Sequence, residues 1–481
     1  MNPINILFNG SAEVLNIVGR GDPLIDSLIT PNENLCPLIG AEIKLDKELG
    51  KGVGGTVFEI MIPGKGTKKY AVKRGGINMS SIFIQRPLLE NDDRLIDIGV
   101  SLKILKAFNP KIDFNEETES WMHIPVHIPE SSSDIPIKEC LIRAPKSYTA
   151  IPYIAGGIVE APSGSYLCTN ESYSEYYIGV LLGNAYRTEK CINFFDVYSM
   201  FICKHPDIDD DTEFAYDQYI LMDKIDNAEG NILQCISMKN YNKIKGHSRD
   251  IQDGVFIQTM FAIAFYQSQY KISHNDLHED NVFVEFVKNS DESKGIIGTT
   301  FNGEYLYECD SYHYRIGNID LYLPAIPVIV KIGDFGMSIK YSHPIVGDEY
   351  IFKTGYATQG DPWGPWMPNH FIPQYDSVYH TVRYVDSLST KSGHQFMGDL
   401  LADSIKYLMP TVKNHLTSST VTTSSTIKFL GDTGLINRAS KRPKLERLSI
   451  CRTAYDLLTS PVMNKYRTKP TSGKIVTLGV I

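Results

Sequence analysis

The sequence predicts an α+β fold in which a strand-rich N-terminal part is followed by a mainly helical C-terminal part. Three observations predict it. From Ile43 onward, short β-branched runs alternate with glycine turns. The stretch Ile251 to Tyr270 carries Phe256, Met260, Phe261, Ile263, Ala264 and Phe265, the pattern of a buried helix. The composition, 42% hydrophobic and 21% charged over 481 residues, is that of a globular protein with a substantial core.

Taken in order, Ile43 to Leu49 and Thr56 to Ile62 read as strands separated by a glycine cluster, and Tyr70-Ala71-Val72-Lys73 as a third strand after the turn at Gly64 to Gly66. Residues of about 75–165 form a long insert with a helix near Arg94 to Phe108 and a polar segment at Ser131 to Ser133. Ser174 to Tyr186 reads as a helix, with Ile178, Leu181, Leu182 and Ala185 at helical spacing. A strand-like run follows at Ile192 to Cys203, then an acidic loop at Asp207 to Asp211 and the apolar strand Tyr219 to Met222. The apolar run Pro324 to Val330 suits a buried strand, and another helix starts near Asp376. The Ser/Thr tract Thr417 to Thr426 reads as a flexible surface loop. The basic stretch Ala439 to Arg447 reads as a solvated loop in preference to a nuclear-localisation signal.

The bulk properties exclude several classes. A net charge of -9 argues against a broad nucleic-acid footprint. Eight scattered cysteines without a CxxC pair suggest neither a zinc ribbon nor a disulfide framework, but thiols in a reducing compartment. Met1 to Arg20 lacks a basic region followed by an apolar run, so no secretory signal is expected. No apolar stretch is long enough to predict a membrane span.

Four motifs carry chemistry. Gly50-Lys51-Gly52-Val53-Gly54-Gly55-Thr56-Val57 fits G-x-G-x-x-G-x-V and runs into a strand, not a helix. A hairpin tip without side chains lets backbone amides close over nucleotide phosphates. Lys73 follows on the third strand, where a cation can hold the α- and β-phosphates. It needs an acidic partner on a helix. Glu175 is favoured over Glu90, and Glu171 is a further candidate. His274-Asn275-Asp276-Leu277-His278-Glu279-Asp280-Asn281 matches H-x-D-x-x-x-x-N. Asp276 is placed to orient an attacking hydroxyl and accept its proton. Asn281 offers an amide oxygen, a hard ligand for magnesium. His274 reads as a structural brace. Finally, Val330-Lys331-Ile332-Gly333-Asp334-Phe335-Gly336 delivers Asp334 at a strand end, where it can hold the magnesium that bridges the phosphates.

Together these residues resemble the eukaryotic protein-kinase family, over roughly residues 43–470. The long inserts and the Asn-Asp-Leu-His form are similar to serine/threonine kinases of large DNA viruses, of the invertebrate iridescent virus type. The resemblance implies a bilobal fold: an extension at 1–42, an N-lobe over 43–222, a C-lobe over 223–470 with inserts near 285–327 and 412–440, and a tail at 471–481. It implies an adenine-carrying hinge at Leu221-Met222-Asp223-Lys224, with Met222 and Asp223 at the nucleotide. It implies that Asp376 supports the catalytic loop and that Arg452 is the buried arginine of the last helix. It further implies ATP and magnesium as cofactors, protein substrates as partners, and a location in a host cytoplasm or virion. Asn275 and His278 stand where the family carries arginine and lysine, and no Ala-Pro-Glu is present. The loop ending Glu279-Asp280-Asn281 leans toward Ser/Thr over Tyr. A small-molecule kinase of the choline or aminoglycoside type and a pseudokinase-type scaffold are the alternatives. The segment Asp334-Phe335-Gly336 weighs against the first. The presence of Lys73, Asp276, Asn281 and Asp334 weighs against the second.

Overall fold

The computed structural model describes residues 38–39, 41–45, 47–52, 55–64, 69–76, 83–84, 121–128, 138–145, 151–152, 158–160, 166–168, 171–204, 216–224, 228–231, 248–291, 295–341, 350–352, 371–389, 399–413 and 422–481. They combine helices and strands in an α+β composition, and the chain divides into two compact units. One comprises Met1–Leu181, Val197–Lys224 and Phe335–Pro365, the other Leu182–Asp196, Ile225–Asp334 and Trp366–Ile481. No helix among the described residues is long and apolar enough to cross a membrane.

The first unit is built on an antiparallel five-stranded sheet. Its strands are β1 (Lys47–Gly52), β2 (Gly55–Met61), β3 (Lys69–Gly76), β4 (Val197–Lys204) and β5 (Tyr216–Asp223), in the order β1-β2-β3-β5-β4. Ile60, Val72, Tyr219 and Leu221 pack with Ile43 and Ile62 into a core cluster. The first strand begins later than the apolar pattern predicts. Ile43 is fully buried, but its backbone N–H turns back to the Leu38 carbonyl at 2.8 Å, so it anchors a turn ahead of the sheet. Within the long insert, Trp121–Ile128, Lys138–Pro145, Ile158–Glu160 and Tyr166–Cys168 form a separate four-stranded sheet. The helix expected near Arg94 to Phe108, the Ser131 segment and the loop at Asp207 to Asp211 lie outside the described residues.

Helix α1 (Glu171–Arg187) follows the insert and buries Ile178, Leu181, Leu182 and Ala185, the residues whose spacing marks it. The next run was expected to be strand from Ile192, yet strand begins only at Val197. The Ile192 and Phe194 carbonyls accept from the buried Lys331 ammonium at 2.7 and 2.9 Å, so these acceptors serve a side chain and not a ladder.

The second unit is organised around α2 (Ser248–Tyr270), which packs on β9 (Val328–Ile332), a strand buried at every position and paired with β6 (Val282–Phe286). Between them the insert contributes the hairpin β7 (Ser311–Ile316) and β8 (Ile319–Pro324). The tail is a strand: β10 (Ile475–Val480) pairs in parallel with β7, which pays for its ordering by burying Val476 and Leu478. Helices α3 (Gln374–Ser389), α4 (Asp399–Leu408), α5 (Thr423–Asp432) and α6 (Ala454–Thr459) complete the unit.

Three expectations are corrected here. The end of the Ser/Thr tract is not a loop but the start of α5: Thr422 and Ser425 form a reciprocal capping box, and Thr426 is buried. The basic stretch is not wholly solvated, since Arg442 is buried. Arg452 is exposed, not buried, and its guanidinium lies 4.1 Å from the Tyr407 ring centroid, a cation–π placement that needs no carboxylate.

Candidate active site

In the first unit, Lys73 lies mid-sheet on β3, opposite Val57 of β2 and Ile220 of β5. Its Nζ donates to Glu175 Oε2 at 2.6 Å across 102 positions of sequence. Glu175 precedes Ile178 by three residues and Leu182 by seven, so it shares the buried face of α1. A carboxylate in that position requires a cation, and a lysine among sheet neighbours requires an anion. Both side chains are nearly buried, 13% and 10% exposed. Glu171 opens the same helix, and Glu90 lies outside the described residues.

The glycine hairpin sits beside this pair. Gly52 and Gly55 close the β1–β2 ladder, and Gly50 and Lys51 pair with Val57 and Thr56. Val53 and Gly54 lie outside the described residues. Gly55 has φ +134°, and a Cβ there would stand 2.2 Å from the Arg74 carbonyl oxygen. No other residue fits without moving β3. At the end of β5, Met222 is buried and Asp223 accepts a hydrogen bond from Tyr198.

In the second unit, the loop after α2 folds onto one carboxylate. Asp376 of α3 is fully buried. Its Oδ2 accepts from the His274 backbone N–H at 2.8 Å, Tyr266 Oη at 2.9 Å and Gln267 Nε2 at 3.3 Å; its Oδ1 accepts from the Asn275 N–H at 2.9 Å. Asn275 has φ +64°, a left-handed conformation that asparagine tolerates better than most side chains. His274 Nε2 donates to the Gly333 carbonyl at 3.0 Å. The Gly333 N–H donates to the Asn281 carbonyl at 3.1 Å, and Val282 faces Ile332 in the ladder. The loop and the strand leading to Asp334 are thereby tied together. Asp334 itself is exposed, with φ +57°.

Asp276 therefore leaves a rigid backbone. Its Oδ1 receives Arg442 Nη2 at 2.5 Å, and His278 Nε2 lies 3.4 Å from Oδ2. Burial alone would raise its pKa, but the His278 hydrogen bond and the Arg442 charge outweigh burial and hold the carboxyl below its ordinary range. His278 shows the reverse balance. Burial disfavours its charge, yet its hydrogen bond to Asp276 and the carboxylates of Asp276, Asp280 and Glu279 raise it above the usual histidine value. His278 Nδ1 accepts from the Asp280 N–H at 3.2 Å and caps the turn Glu279–Asn281. Within that turn Glu279 is clamped by Arg383, Nε to Oε2 at 2.7 Å and Nη2 to Oε1 at 2.5 Å. Asn281 Nδ2 donates to the Asp276 carbonyl at 2.9 Å, which fixes the amide and turns its oxygen away from that bond.

Among the described residues no group of three or more His, Cys, Asp or Glu side chains could hold a metal by itself. Asn281 and Asp334 supply two hard oxygen donors, a set that suits magnesium, which takes few protein ligands when phosphates complete its shell. Arg442, Arg383 and Tyr375 were not singled out by motif. The basic run containing Arg442 was the available signal, but a charge run is ordinarily surface. No protein-family model and no curated protein sequence matches the chain.

Asp376→Ala leaves two backbone N–H groups and Tyr266 Oη without their acceptor. Its expected cost is at least about 3 kcal/mol, read as a lower urea midpoint of unfolding. A midpoint equal to wild type would remove Asp376 as the anchor of the loop.

Proposed function

We propose that this protein is a serine/threonine protein kinase of bilobal, kinase-like fold that transfers the γ-phosphate of ATP to protein hydroxyls. The observation that carries the reading is the Lys73–Glu175 ion pair. Sequence left that partner open, and a kinase needs this lysine held by a helical glutamate beside a glycine hairpin. The loop geometry around Asp276 supports the same reading.

The roles follow from the chemistry of each group. Backbone amides of Gly50 to Val57 cover the phosphates, and Lys73, held by Glu175, orients them. Met222 and Asp223 flank the adenine through the backbone of β5. Asn281 and Asp334 would hold magnesium, which supplies charge neutralisation at the phosphates. Asp276, kept ionised by its neighbours, orients the substrate hydroxyl and accepts its proton. His278 offers a cation two residues beyond Asp276.

The substrate class is tested by incubating the protein with labelled ATP and either mixed proteins or small alcohols, followed by phosphoamino-acid analysis. Phosphoserine and phosphothreonine are expected. Label appearing in small alcohols and not in protein would replace this reading with that of a small-molecule kinase.

His278 adds a pH signature. Its raised value keeps it cationic to higher pH than a free histidine, while the lowered value of Asp276 keeps the base ionised to lower pH. Turnover is therefore highest between the two. As pH rises through the His278 value the cation is lost, and kcat is expected to fall by about tenfold, the equivalent of one lost charge interaction. In His278→Lys the alkaline limb moves to higher pH. An alkaline limb at the wild-type position in that variant would exclude this role.

A further inference from the structure

Arg442 is 7% exposed although it lies in the run Ser440-Lys441-Arg442-Pro443-Lys444. The segment around it is a built loop. Asn437 Oδ1 accepts from the Ala439 and Ser440 N–H groups at 2.9 and 3.1 Å. The Asn437 N–H donates to the Arg442 carbonyl at 2.9 Å, and the Lys444 N–H to the Leu435 carbonyl at 2.9 Å. Lys441, at φ +61°, pairs with Asp386 of α3 at 2.6 Å. A left-handed lysine is uncommon, and here it aims Arg442 inward.

The guanidinium is spent on the catalytic loop. Nη2 meets Asp276 Oδ1 at 2.5 Å; Nη1 donates to the Asn275 carbonyl at 2.8 Å and to Tyr375 Oη at 3.3 Å. Its Cζ lies 5.0 Å from the Tyr379 ring centroid. One rigid fork thus binds the backbone before Asp276 and one oxygen of Asp276 itself.

Building on the kinase reading, we infer that Arg442 is the positioning residue for Asp276: it fixes Oδ1 so that Oδ2, shared with His278, is presented to the substrate hydroxyl. The brace comes from the same chain, 166 residues away, and is part of the folded core of its unit. The groups facing Asp276 are His274 and His278 of its own loop, Arg442, and the phenol of Tyr379 on α3, while the Tyr375 phenol meets Arg442.

The test compares Arg442→Met and Arg442→Lys by kcat, KM for ATP and pH profile, with melting temperature as the control for folding. Arg442→Met is expected to lower kcat about 30-fold with KM for ATP unchanged, and to move the acidic limb up, because the base loses its cation. Arg442→Lys keeps the charge but cannot serve both oxygens, so kcat falls about tenfold with the acidic limb in place. A kcat and limb equal to wild type in Arg442→Met overturns the inference. A rise in kcat also overturns it, because the arginine would then be a block. If Arg442→Met does not fold, wild-type kcat in Arg442→Lys overturns it. Loss of folding in both variants, or parallel loss of ATP affinity and kcat, marks a structural residue and overturns it as well. Absence of transfer by the wild-type protein defeats the kinase reading itself, whereas wild-type transfer with an unaffected Arg442→Met defeats this inference alone.

Discussion

Four donors converge on the carboxylate of Asp376, and the geometry of the second unit depends on that convergence. Two are backbone N–H groups in the turn before Asp276, one of them at a residue with positive φ. A turn of that shape exposes its amides to the interior, where each unpaired N–H would cost about 1–3 kcal/mol. Asp376 removes the cost and in doing so fixes where the next side chain points. Tyr266 and Gln267 bind the same carboxylate, so the end of α2, the loop and the start of α3 share one anchor. Buried polar groups of this kind are stable when they are satisfied, and both oxygens of the Asp376 carboxylate are.

From this anchor the loop is held by side chains that arrive from distant sequence, Arg383 on Glu279 and Arg442 on Asp276, while the loop's own His274 ties it to the strand before Asp334. Each is a charged or aromatic group in a partly buried setting, where fork-shaped donors give direction as well as energy. The common outcome is a carboxyl shifted below its ordinary range and, two residues on, a histidine shifted above its own.

The sequence revealed those parts in which a short motif and its chemistry coincide. Val57 and Lys73 face each other because β2 and β3 are antiparallel neighbours, and the strand periodicity around them was readable. The spacing of Ile178, Leu181, Leu182 and Ala185 marked α1, and Glu175 could be preferred over Glu90 because that helix directly precedes an apolar strand-like run, whereas polar chain follows Glu90. What periodicity missed were elements whose stability comes from long-range partners. The last strand, Ile475–Val480, is legible only beside the insert hairpin that it joins in parallel. The turns at 191–196 look like strand because Ile192 and Phe194 are apolar, but their carbonyls belong to Lys331. Trp121–Ile128 does alternate at Met122, Ile124, Val126 and Ile128, a strand signal obscured by an internal proline and two histidines. Thr422 and Ser425 form a capping box without the usual Glu, so a helix start resembled a polar loop. Arg442 was invisible as a site residue because only the fold turns a basic surface run inward.

The central claim is phosphate transfer that depends on Asp276. The most direct measurement is the initial rate of labelled-phosphate transfer by wild type and Asp276→Asn, with ATP binding determined on the same preparations. The amide keeps the size of the side chain but cannot accept the hydroxyl proton. The expected result is equal ATP affinity and a rate lower by at least about 100-fold in the variant. Equal transfer rates in the two proteins would contradict the account.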